Sequence, residues 1–388
     1  MNIAYVIFSN DHGTGGHHHS LNAIQFAINN KRNFKSYIIN IGTKPSPILN
    51  QSLRYYFLKS SIFNIPINIL KIIFHCKKND INILHAFDVN AYFYTRIVSI
   101  FLKLPTIYTK CGGSNNKYNP KSIFSITFSQ ENYEYLLEKN YSKYLYLIEN
   151  RIPNFYQEIE KIETIKKNIK KNNEIIFLRI TRISKYYEKS ISTTINFVAN
   201  FKNSILVIIG SVYDEHLLQN IKTIAKSKNV KLLILNGDEY TRQARNFISL
   251  GDYVFGSGRA AMEALATKSK LLAFVDNLPY PVVVTPLNFN EFRYYNFSER
   301  VKLKQTPTLS ETIDLINTNL QNIDYNILTE KFHEHYLIDS AVCKYEDIYH
   351  NMTFSNQPKY FIVDFFKNFY FHFLRCANYN KFIRYLIK

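Results

Sequence analysis

The chain has 388 residues but no tryptophan, only four cysteines, and only 11 glycines and 11 prolines. The cysteines are scattered and show no C-x-x-C spacing, so neither a disulfide framework nor a structural zinc site is expected. The scarcity of glycine and proline excludes collagen-like and long low-complexity segments. The composition is that of a folded globular protein in a reducing compartment.

Long apolar runs are also missing. No segment reaches the roughly 18 uncharged apolar residues that a membrane-spanning helix requires. The N-terminal stretch MNIAYVIFSN has no basic region, and its apolar run is shorter than that of a signal peptide. The sequence therefore predicts a cytoplasmic protein.

Acidic residues are few relative to basic ones. The chain has 48 lysines and arginines against 30 aspartates and glutamates, which gives a formal net charge of +18. A surplus of this size indicates an anionic partner, and nucleic acid, anionic lipid and nucleotide substrates all meet that description. The charge by itself does not distinguish among the three.

The first 150 residues alternate short β-branched or aromatic runs with longer helical patterns. Such alternation is typical of βαβ units, which build a parallel sheet with helices on both faces. Because 388 residues exceed what one hydrophobic core usually supports, two domains are expected. The predicted strands of this first block are 2–8, 36–41, 81–87, 105–110, 123–128 and 145–150.

A second alternating block begins at residue 174, after a charged stretch without strand signals. Its predicted strands are 174–180, 204–210, 230–235, 252–256 and 270–275. The expected fold class is therefore α/β, with two Rossmann-like doubly wound domains that face a cleft. The predicted boundaries are 1–155 for the N-terminal domain, 156–173 for a charged linker, 174–324 for the C-terminal domain, and 325–388 for C-terminal helices and a basic aromatic tail.

The end of the chain differs in composition from both blocks. Residues 325–352 are predicted to form one long helix, and 359–388 are crowded with aromatic and basic residues around a single acid, Asp364. Basic and aromatic residues together suit the interface of an anionic membrane. The same pattern fits a helix that packs back on the N-terminal domain, and the sequence leaves both interpretations open.

The stretch GDYVFGSGRAAMEALA, residues 251–266, predicts a strand, a glycine turn and a helix that begins at Arg259. The N–H groups at a helix start, together with the helix dipole, bind anions, and the turn at Ser257 and Gly258 would let a phosphate approach closely. The carboxylate of Glu263 is placed to accept both hydroxyl groups of a ribose. The alternative is that Arg259 and Glu263, spaced i and i+4, form an ion pair on the helix surface.

The segment GRAAMEALA resembles the donor-binding segment of family 4 nucleotide-sugar glycosyltransferases, which are retaining enzymes with the two-domain GT-B fold. It follows the pattern GR-x-x-x-EA-x-A, and the resemblance puts Glu263 at the ribose-binding glutamate of that family. FLRITRISKYYEKS, residues 177–190, resembles a second donor segment, which implies that Arg182 and Lys189 bind the donor diphosphate. Two cations there would stabilise the charge of the departing nucleoside diphosphate, whereas taken alone both would be read as surface charges.

Further segments resemble the same family in the same order, over residues 1–350. DINILHAFDVN, residues 80–90, implies substrate-binding roles for His85 and Asp88, and PTIYTKCGG, residues 105–113, implies that Lys110 lies near the acceptor. The sequence departs from the family at Phe87, where a histidine is usual. It also departs at Phe255 and Gly256, where a further glutamate is often found, and at Lys110 and Cys111.

NDHGTGGHHHS, residues 10–20, directly follows the first predicted strand. In the GT-B architecture this segment is the glycine loop at the mouth of the cleft, where Gly15 and Gly16 would let backbone N–H groups approach donor or acceptor. His17 and His18 begin the following helix and are placed to meet an acceptor hydroxyl. The alternatives are an ordinary solvated helix start and a zinc site, which is disfavoured because neighbouring histidines on a helix point in different directions.

Neither a metal nor an organic cofactor is expected. No D-x-D pair lies at a predicted strand end, which argues against a diphosphate bridged by Mg²⁺. The Walker pattern G-x-x-x-x-G-K-[ST] is absent, and GTGG at 13–16 lacks the third glycine of G-x-G-x-x-G. The nucleotide-sugar is a substrate in this interpretation.

The resemblance implies a glycosyltransferase that moves a sugar from a nucleotide-sugar donor to a glycan hydroxyl, with Arg182, Lys189, His18 and Lys110 as the expected catalytic residues. The basic charge and aromatic tail favour a lipid-linked acceptor, as in bacterial surface-polysaccharide synthesis, and a peripheral position on the inner face of the cytoplasmic membrane. Two alternatives stay open. One is a sugar-nucleotide epimerase of the same architecture, and the other is a non-catalytic protein that binds RNA or membrane, although no RNA-binding motif is recognisable.

Overall fold

The computed structural model describes residues 1–9, 13–31, 33–115, 119–149, 151–170, 174–318, 323–353 and 361–378. The chain divides into two compact units, one formed by Met1–Pro153 with Leu337–Lys388 and the other by Asn154–Tyr336. Each unit is an α/β structure around its own sheet.

The first unit begins with seven strands and four helices. They are β1 (Asn2–Ser9), α1 (Gly16–Asn29), β2 (Lys35–Gly42), β3 (Tyr55–Lys59), α2 (Ile65–Lys78), β4 (Ile83–Ala86), α3 (Val89–Leu102), β5 (Thr106–Lys110), β6 (Ser122–Thr127), α4 (Gln130–Glu138) and β7 (Ser142–Leu147). The strands form one parallel sheet in the order β3-β2-β1-β4-β5-β6-β7.

The two faces of this sheet carry separate hydrophobic cores, because successive side chains of a strand point to opposite faces. Tyr5 and Ile7 of β1 pack with Leu21 and Ile24 of α1. Val6 and Phe8 pack in the other cluster, with Ile65 and Ile72 of α2 and with residues of α3. Helices α1 and α2 therefore cover opposite faces.

The second unit contains α5 (Ile159–Ile169), β8 (Ile175–Ile180), α6 (Glu188–Val198), β9 (Ser204–Ile209), α7 (Glu215–Ser227), β10 (Lys231–Leu235), α8 (Asp238–Thr241), β11 (Tyr253–Gly256), α9 (Arg259–Ala266), β12 (Lys270–Ala273), β13 (Val282–Val283), α10 (Phe289–Tyr294), α11 (Leu309–Asn317) and α12 (Tyr325–Tyr336), with 3₁₀ turns at Lys185–Tyr187 and Ala244–Leu250. Its sheet has the order β10-β9-β8-β11-β12-β13, and only β13 runs antiparallel to its neighbour.

The predicted fold class, two doubly wound α/β domains, is confirmed. The strand order reverses between β1 and β4 in the first sheet and between β8 and β11 in the second. In open α/β sheets, ligands bind outside the carboxyl ends of the strands at such a switch point. The fold therefore directs attention to the loops after these four strands.

The C-terminal segment is divided between the two units, which differs from the predicted single helix 325–352. Helix α12 stays with the second unit, whereas α13 (Asp339–Asn351) packs on the first. The break occurs where Leu337 bridges Ile152, and the Ile338 N–H donates to the Ile152 carbonyl at 3.1 Å. The helix ends because the chain returns at this point to the first unit.

The stretch predicted as a linker, 156–173, also differs from the structure. It contains α5, whose Ile162 is buried and which packs against the 3₁₀ turn 244–250 of the second unit. Its charged residues occupy the outer side of an amphipathic helix, and residues 171–173 lie outside the described part of the chain.

The last described helix, α14 (Phe361–Asn378), packs against α3 of the first unit. Arg96 of α3 forms an ion pair with Asp364 at 2.8 Å, and the Tyr94 hydroxyl is hydrogen-bonded to His372 Nε2 at 2.9 Å. The packing interpretation therefore applies to 361–378, while 379–388 lie outside the described residues. None of the helices in the described ranges has the length and hydropathy needed to cross a bilayer.

Candidate functional site

The carboxyl ends of β8 and β11 lie side by side at the switch point of the second sheet. Arg182 follows β8 by two residues, and its guanidinium carbon lies 5.8 Å from the centre of the Tyr187 ring. Lys189 is exposed in the first turn of α6. Within the described residues neither cation forms an ion pair. Both positive charges are therefore available to an anion.

The turn between β11 and α9 requires two glycines for different reasons. A Cβ on Gly256 would lie 2.8 Å from the Cα and N of Ala261, so the strand can approach the helix this closely only without a side chain. Gly258 has φ 55° and ψ −125°, a conformation that other residues rarely adopt, and nothing lies within 4 Å of where its Cβ would be. The start of α9 therefore has open space on the side where a Gly258 Cβ would lie, while the Gly258 N–H itself donates to the Phe297 carbonyl at 2.6 Å.

Arg259 and Glu263 form an ion pair on α9, which is the alternative that the sequence left open. Arg259 Nε donates to Glu263 Oε1 at 2.7 Å, and the two side chains are only 10% and 13% exposed. Burial lowers the pKa of Arg259, and the neighbouring carboxylate partly opposes that shift. Glu263 thus neutralises Arg259, while Arg259 holds the Glu263 carboxylate in a fixed orientation.

Arg179 of β8 was not among the predicted site residues. Its guanidinium is buried, donates to the Ser190 carbonyl and to the hydroxyls of Ser190 and Thr194, and lies 4.8 Å from the centre of the Phe274 ring. Burial lowers the pKa of this arginine to about 10. Arg179 therefore anchors the first turn of α6, which contains Lys189, to the sheet. The signal in the sequence was an arginine inside an otherwise apolar strand.

In the first unit, the glycine–histidine segment forms the start of α1, and residues 10–12 lie outside the described range. Gly15 is the N-cap residue, and its carbonyl accepts a hydrogen bond from the His18 N–H at 2.9 Å. Gly16 is exposed and His17 is partly exposed. The His17 and His18 rings lie 4.1 Å apart between centroids. His17 and His18 were both predicted to meet the acceptor, and of these two rings only that of His17 reaches the surface.

His18 is buried in a polar network that joins α1 to three strands, β1, β2 and β3. Its Nε2 is hydrogen-bonded to Ser9 Oγ at 2.9 Å, and Asn40 Nδ2 donates to the same oxygen at 2.6 Å. The Tyr55 hydroxyl donates to Asn40 Oδ1 at 2.7 Å. His18 thus anchors the start of α1 to the sheet, and the catalytic role predicted for it stays a prediction.

His85 is fully buried within β4. Its Nδ1 is hydrogen-bonded to the Tyr349 hydroxyl at 2.8 Å and its Nε2 to Thr109 Oγ1 at 2.6 Å. Burial lowers the pKa of His85 to about 3, so the ring is neutral at physiological pH. Both ring nitrogens are engaged inside the unit, and the substrate-binding role predicted for His85 stays a prediction.

Asp88 and Lys110 also form hydrogen bonds with other groups of the protein at the carboxyl edge of the first sheet. Asp88 caps α3 by accepting from the Asn90 and Ala91 N–H groups, and it accepts from the Phe8 N–H at 2.7 Å. It thereby ties the end of β1 to the end of β4. Lys110 is buried, and its Nζ donates to the Ser114 carbonyl at 3.2 Å and to Asn119 Oδ1 at 3.3 Å.

The structure brings the predicted residues together in two groups, one at the carboxyl edge of each sheet. The second unit's group combines two accessible cations with a glycine turn, whereas most side chains of the first unit's group are engaged with the protein. Across the described ranges, no three His, Cys, Asp or Glu side chains are grouped so that they could hold a metal ion.

The sequence matches no model of a known protein family and no curated protein. Several solved structures are similar in fold. A glycosyltransferase from Rickettsia africae ESF-5 aligns with a TM-score of 0.65 at 16% identity, over 90% of this chain and 98% of that one. HepE from Anabaena in complex with UDP and glucose gives 0.64 at 13% identity, over 89% and 98%. The lipopolysaccharide outer core galactosyltransferase WaaB gives 0.60 at 10% identity, over 90% and 99%.

At these identities the comparison establishes the architecture and nothing finer. The alignments span nearly the full length of each solved chain and include both α/β units. Together with the two doubly wound sheets, they show that this chain has the GT-B fold that these glycosyltransferases share.

Proposed function

We propose that the protein is a glycosyltransferase that transfers a sugar from a nucleotide-sugar donor to a hydroxyl group of a glycan. One observation carries the proposal. At the switch point of the second sheet, Arg182 in the loop after β8 and Lys189 in the first turn of α6 have no acidic partner among the described residues, and β8 is the neighbour of β11, whose glycine turn leads into α9. Structures of the same fold include one with UDP and glucose bound.

The two cations stabilise the leaving group in this proposal. When the bond between the sugar and the nucleotide breaks, negative charge builds up on the nucleoside diphosphate, and fixed positive charges lower the energy of that state. Arg259 contributes little, because Glu263 already neutralises it. Arg182 and Lys189 therefore carry this task without a metal ion.

The turn at Ser257 and Gly258 receives the diphosphate. Gly258 leaves the backbone open on the side where its Cβ would lie, and the N-terminal end of the eight-residue helix α9 attracts negative charge. The Glu263 carboxylate, oriented by Arg259, accepts the ribose hydroxyls. This assignment follows the resemblance to retaining family 4 enzymes, and we extend to the protein the retention of anomeric configuration.

The acceptor is assigned to the first unit. The acceptor hydroxyl contacts Gly15, Gly16 and the partly exposed His17. The neighbouring His18 ring positions the His17 ring. Lys110 supports the loop that follows β5 through its bonds to Ser114 and Asn119. His85 and Asp88 act through the strand ends that they hold in place.

The acceptor glycan is proposed to be lipid-linked, in the synthesis of a bacterial surface polysaccharide such as lipopolysaccharide or capsule. The net charge of +18 favours the anionic diphosphate of such a carrier and a peripheral position at the inner face of the cytoplasmic membrane. Similarity in fold to WaaB agrees with this class of product.

The test follows nucleotide release from a panel of sugar nucleotides, with and without a polyprenyl-diphosphate-linked glycan. We expect release that depends on the acceptor, and a loss of release in a variant with Arg182→Ala and Lys189→Ala. Arg242→Ala is the matched control, since Arg242 lies in an exposed surface ion pair with Asp238. Conversion of the donor without any acceptor would identify an epimerase instead. Salt-dependent RNA binding without turnover would identify a binding protein.

A further inference from the structure

The outer face of α2 carries a continuous apolar stripe. Phe63, which precedes the helix, and Ile67, Leu70 and Phe74 within it are between 49% and 78% exposed. Their spacings of four, three and four residues put them on one side of a helix. The opposite side of α2 is buried against the sheet through Ile65, Ile72 and Cys76. The stripe is thus a second apolar face that the described part of the unit leaves uncovered.

Lysines flank the α2 stripe on both sides. At 100° per residue, Lys77 lies on one side of the stripe and Lys71 and Lys78 lie on the other, and all three are exposed. Residues 59–79 include four lysines and no aspartate or glutamate. The face therefore combines large apolar side chains with a net positive charge, since the four lysines outnumber Asp80, the exposed acid that directly follows the segment.

Neighbouring helices extend this character over the same face of the sheet. Phe101 of α3 and Phe366 and Tyr370 of α14 are exposed, and Lys367 lies between the latter two. The acid of α14, Asp364, is turned inward to Arg96 and puts no negative charge on the surface. Nine of the 20 large apolar side chains exposed in the described residues belong to this layer: Phe63, Ile67, Leu70, Phe74, Ile100, Phe101, Phe366, Phe369 and Tyr370.

We propose that the α2 stripe docks on the surface of an anionic lipid bilayer, with its apolar side chains at the depth of the headgroups and its lysines at the lipid phosphates. Amphipathic helices with aromatic and aliphatic residues on one strip and lysines beside it bind membranes in this way. The anionic surface complements the four lysines of residues 59–79, which no acid in that segment offsets. A second copy of the chain fits less well, because a two-fold contact would oppose the same lysines.

This surface is independent of the donor chemistry, since all its residues belong to the first unit. It also differs from the tail, because α2 and the preceding Phe63 supply the stripe, and α2 supplies its lysine flanks. The two proposals can therefore fail separately. A protein without transferase activity can still bind vesicles through the α2 stripe, and an active transferase can lack this binding.

The experiment measures binding of the full chain to vesicles of phosphatidylcholine with and without phosphatidylglycerol, by co-sedimentation. The test variant carries Leu70→Gln and Phe74→Gln. The matched control is Phe26→Gln, because Phe26 and Phe74 are equally exposed, at 67%, on helices that cover opposite faces of the same sheet. Thermal unfolding is compared among the three proteins, since replacement of exposed side chains should leave the fold intact.

We expect the wild type and the Phe26→Gln variant to bind the anionic vesicles equally. The stripe variant should bind about a hundredfold more weakly, because it replaces two inserted side chains that each contribute about a tenfold factor. Replacement of Lys71, Lys77 and Lys78 by glutamine should remove the preference for anionic over neutral vesicles. Equal binding by the stripe variant and wild type overturns the proposal. The proposal is also overturned if the wild-type protein does not bind vesicles and instead dimerises through the α2 stripe.

Discussion

The buried histidine of β4 makes the stability of the first unit depend on pH. His85 has an ordinary pKa of 6.5 in the unfolded chain and a pKa of about 3 in the folded protein, because burial disfavours the charged ring. As pH falls below 6.5, the unfolded chain gains a proton that the folded chain does not bind until about pH 3. The stability that a neutral His85 allows is therefore complete above pH 6.5 and is lost as the pH decreases.

The size of this effect follows from the two pKa values. A difference of about 3.5 units corresponds to about 5 kcal/mol once both states are fully protonated, at 1.36 kcal/mol per unit. Between pH 7 and pH 5 the part that is lost is about 2 kcal/mol. The glutamine variant His85→Gln does not titrate, and its amide can still bond to Tyr349 and Thr109.

Urea unfolding followed by circular dichroism at pH 7 and pH 5 provides the measurement. Other histidines titrate in both proteins, so the difference between wild type and His85→Gln isolates the contribution of this ring. We expect the advantage of the wild type to shrink by about 2 kcal/mol between pH 7 and pH 5. A difference that stays the same at both pH values would refute the buried, neutral state of His85.

The remaining predictions concern the residues proposed to bind the donor and the last described helix, α14. Arg182→Ala with Lys189→Ala should lower steady-state turnover by about a hundredfold or more while the unfolding midpoint is retained, and a normal rate would remove both cations from the mechanism. Glu263→Ala should weaken nucleoside diphosphate binding in calorimetry, and wild-type affinity would contradict the ribose role. Arg96→Leu should destabilise the protein by about 3 kcal/mol, because it leaves the buried Asp364 carboxylate without its positively charged partner, although the Lys121 N–H and the Asn368 amide still donate to it. Unchanged unfolding in urea would contradict that ion pair.

Much of the fold could be predicted because strands such as β1 and β9 are continuous apolar runs, which parallel sheets bury on both faces. Strand β3 was not predicted, since its five residues are mostly half-exposed and show no clear alternation. The break after Tyr336 could not be read locally either. The helical pattern of 325–352 continues through it, and only the return of the chain to Ile152 divides the helix.

The site could be predicted in part for a similar reason. The glycine turn and its helix are local features, and the structure has them where the sequence indicated. Which charges remain accessible depends on tertiary neighbours instead. Spacing allowed Arg259 and Glu263 to pair but did not require it, and nothing near Lys110 in sequence showed that Asn119 would hold it. Burial in the folded protein distinguishes the accessible cations, Arg182 and Lys189, from the cations that are bonded to other protein groups.

The central claim is that the carboxyl edge of the second sheet holds a nucleoside diphosphate through cations and a glycine-lined helix start. A crystal structure with UDP tests it most directly, because UDP is the nucleotide bound in a structure of the same fold. We expect the diphosphate oxygens within about 3 Å of the Arg182 and Lys189 side chains and of the backbone N–H groups after Gly258. Density for UDP at any other place, with Arg182 and Lys189 directed away from it, would contradict the account.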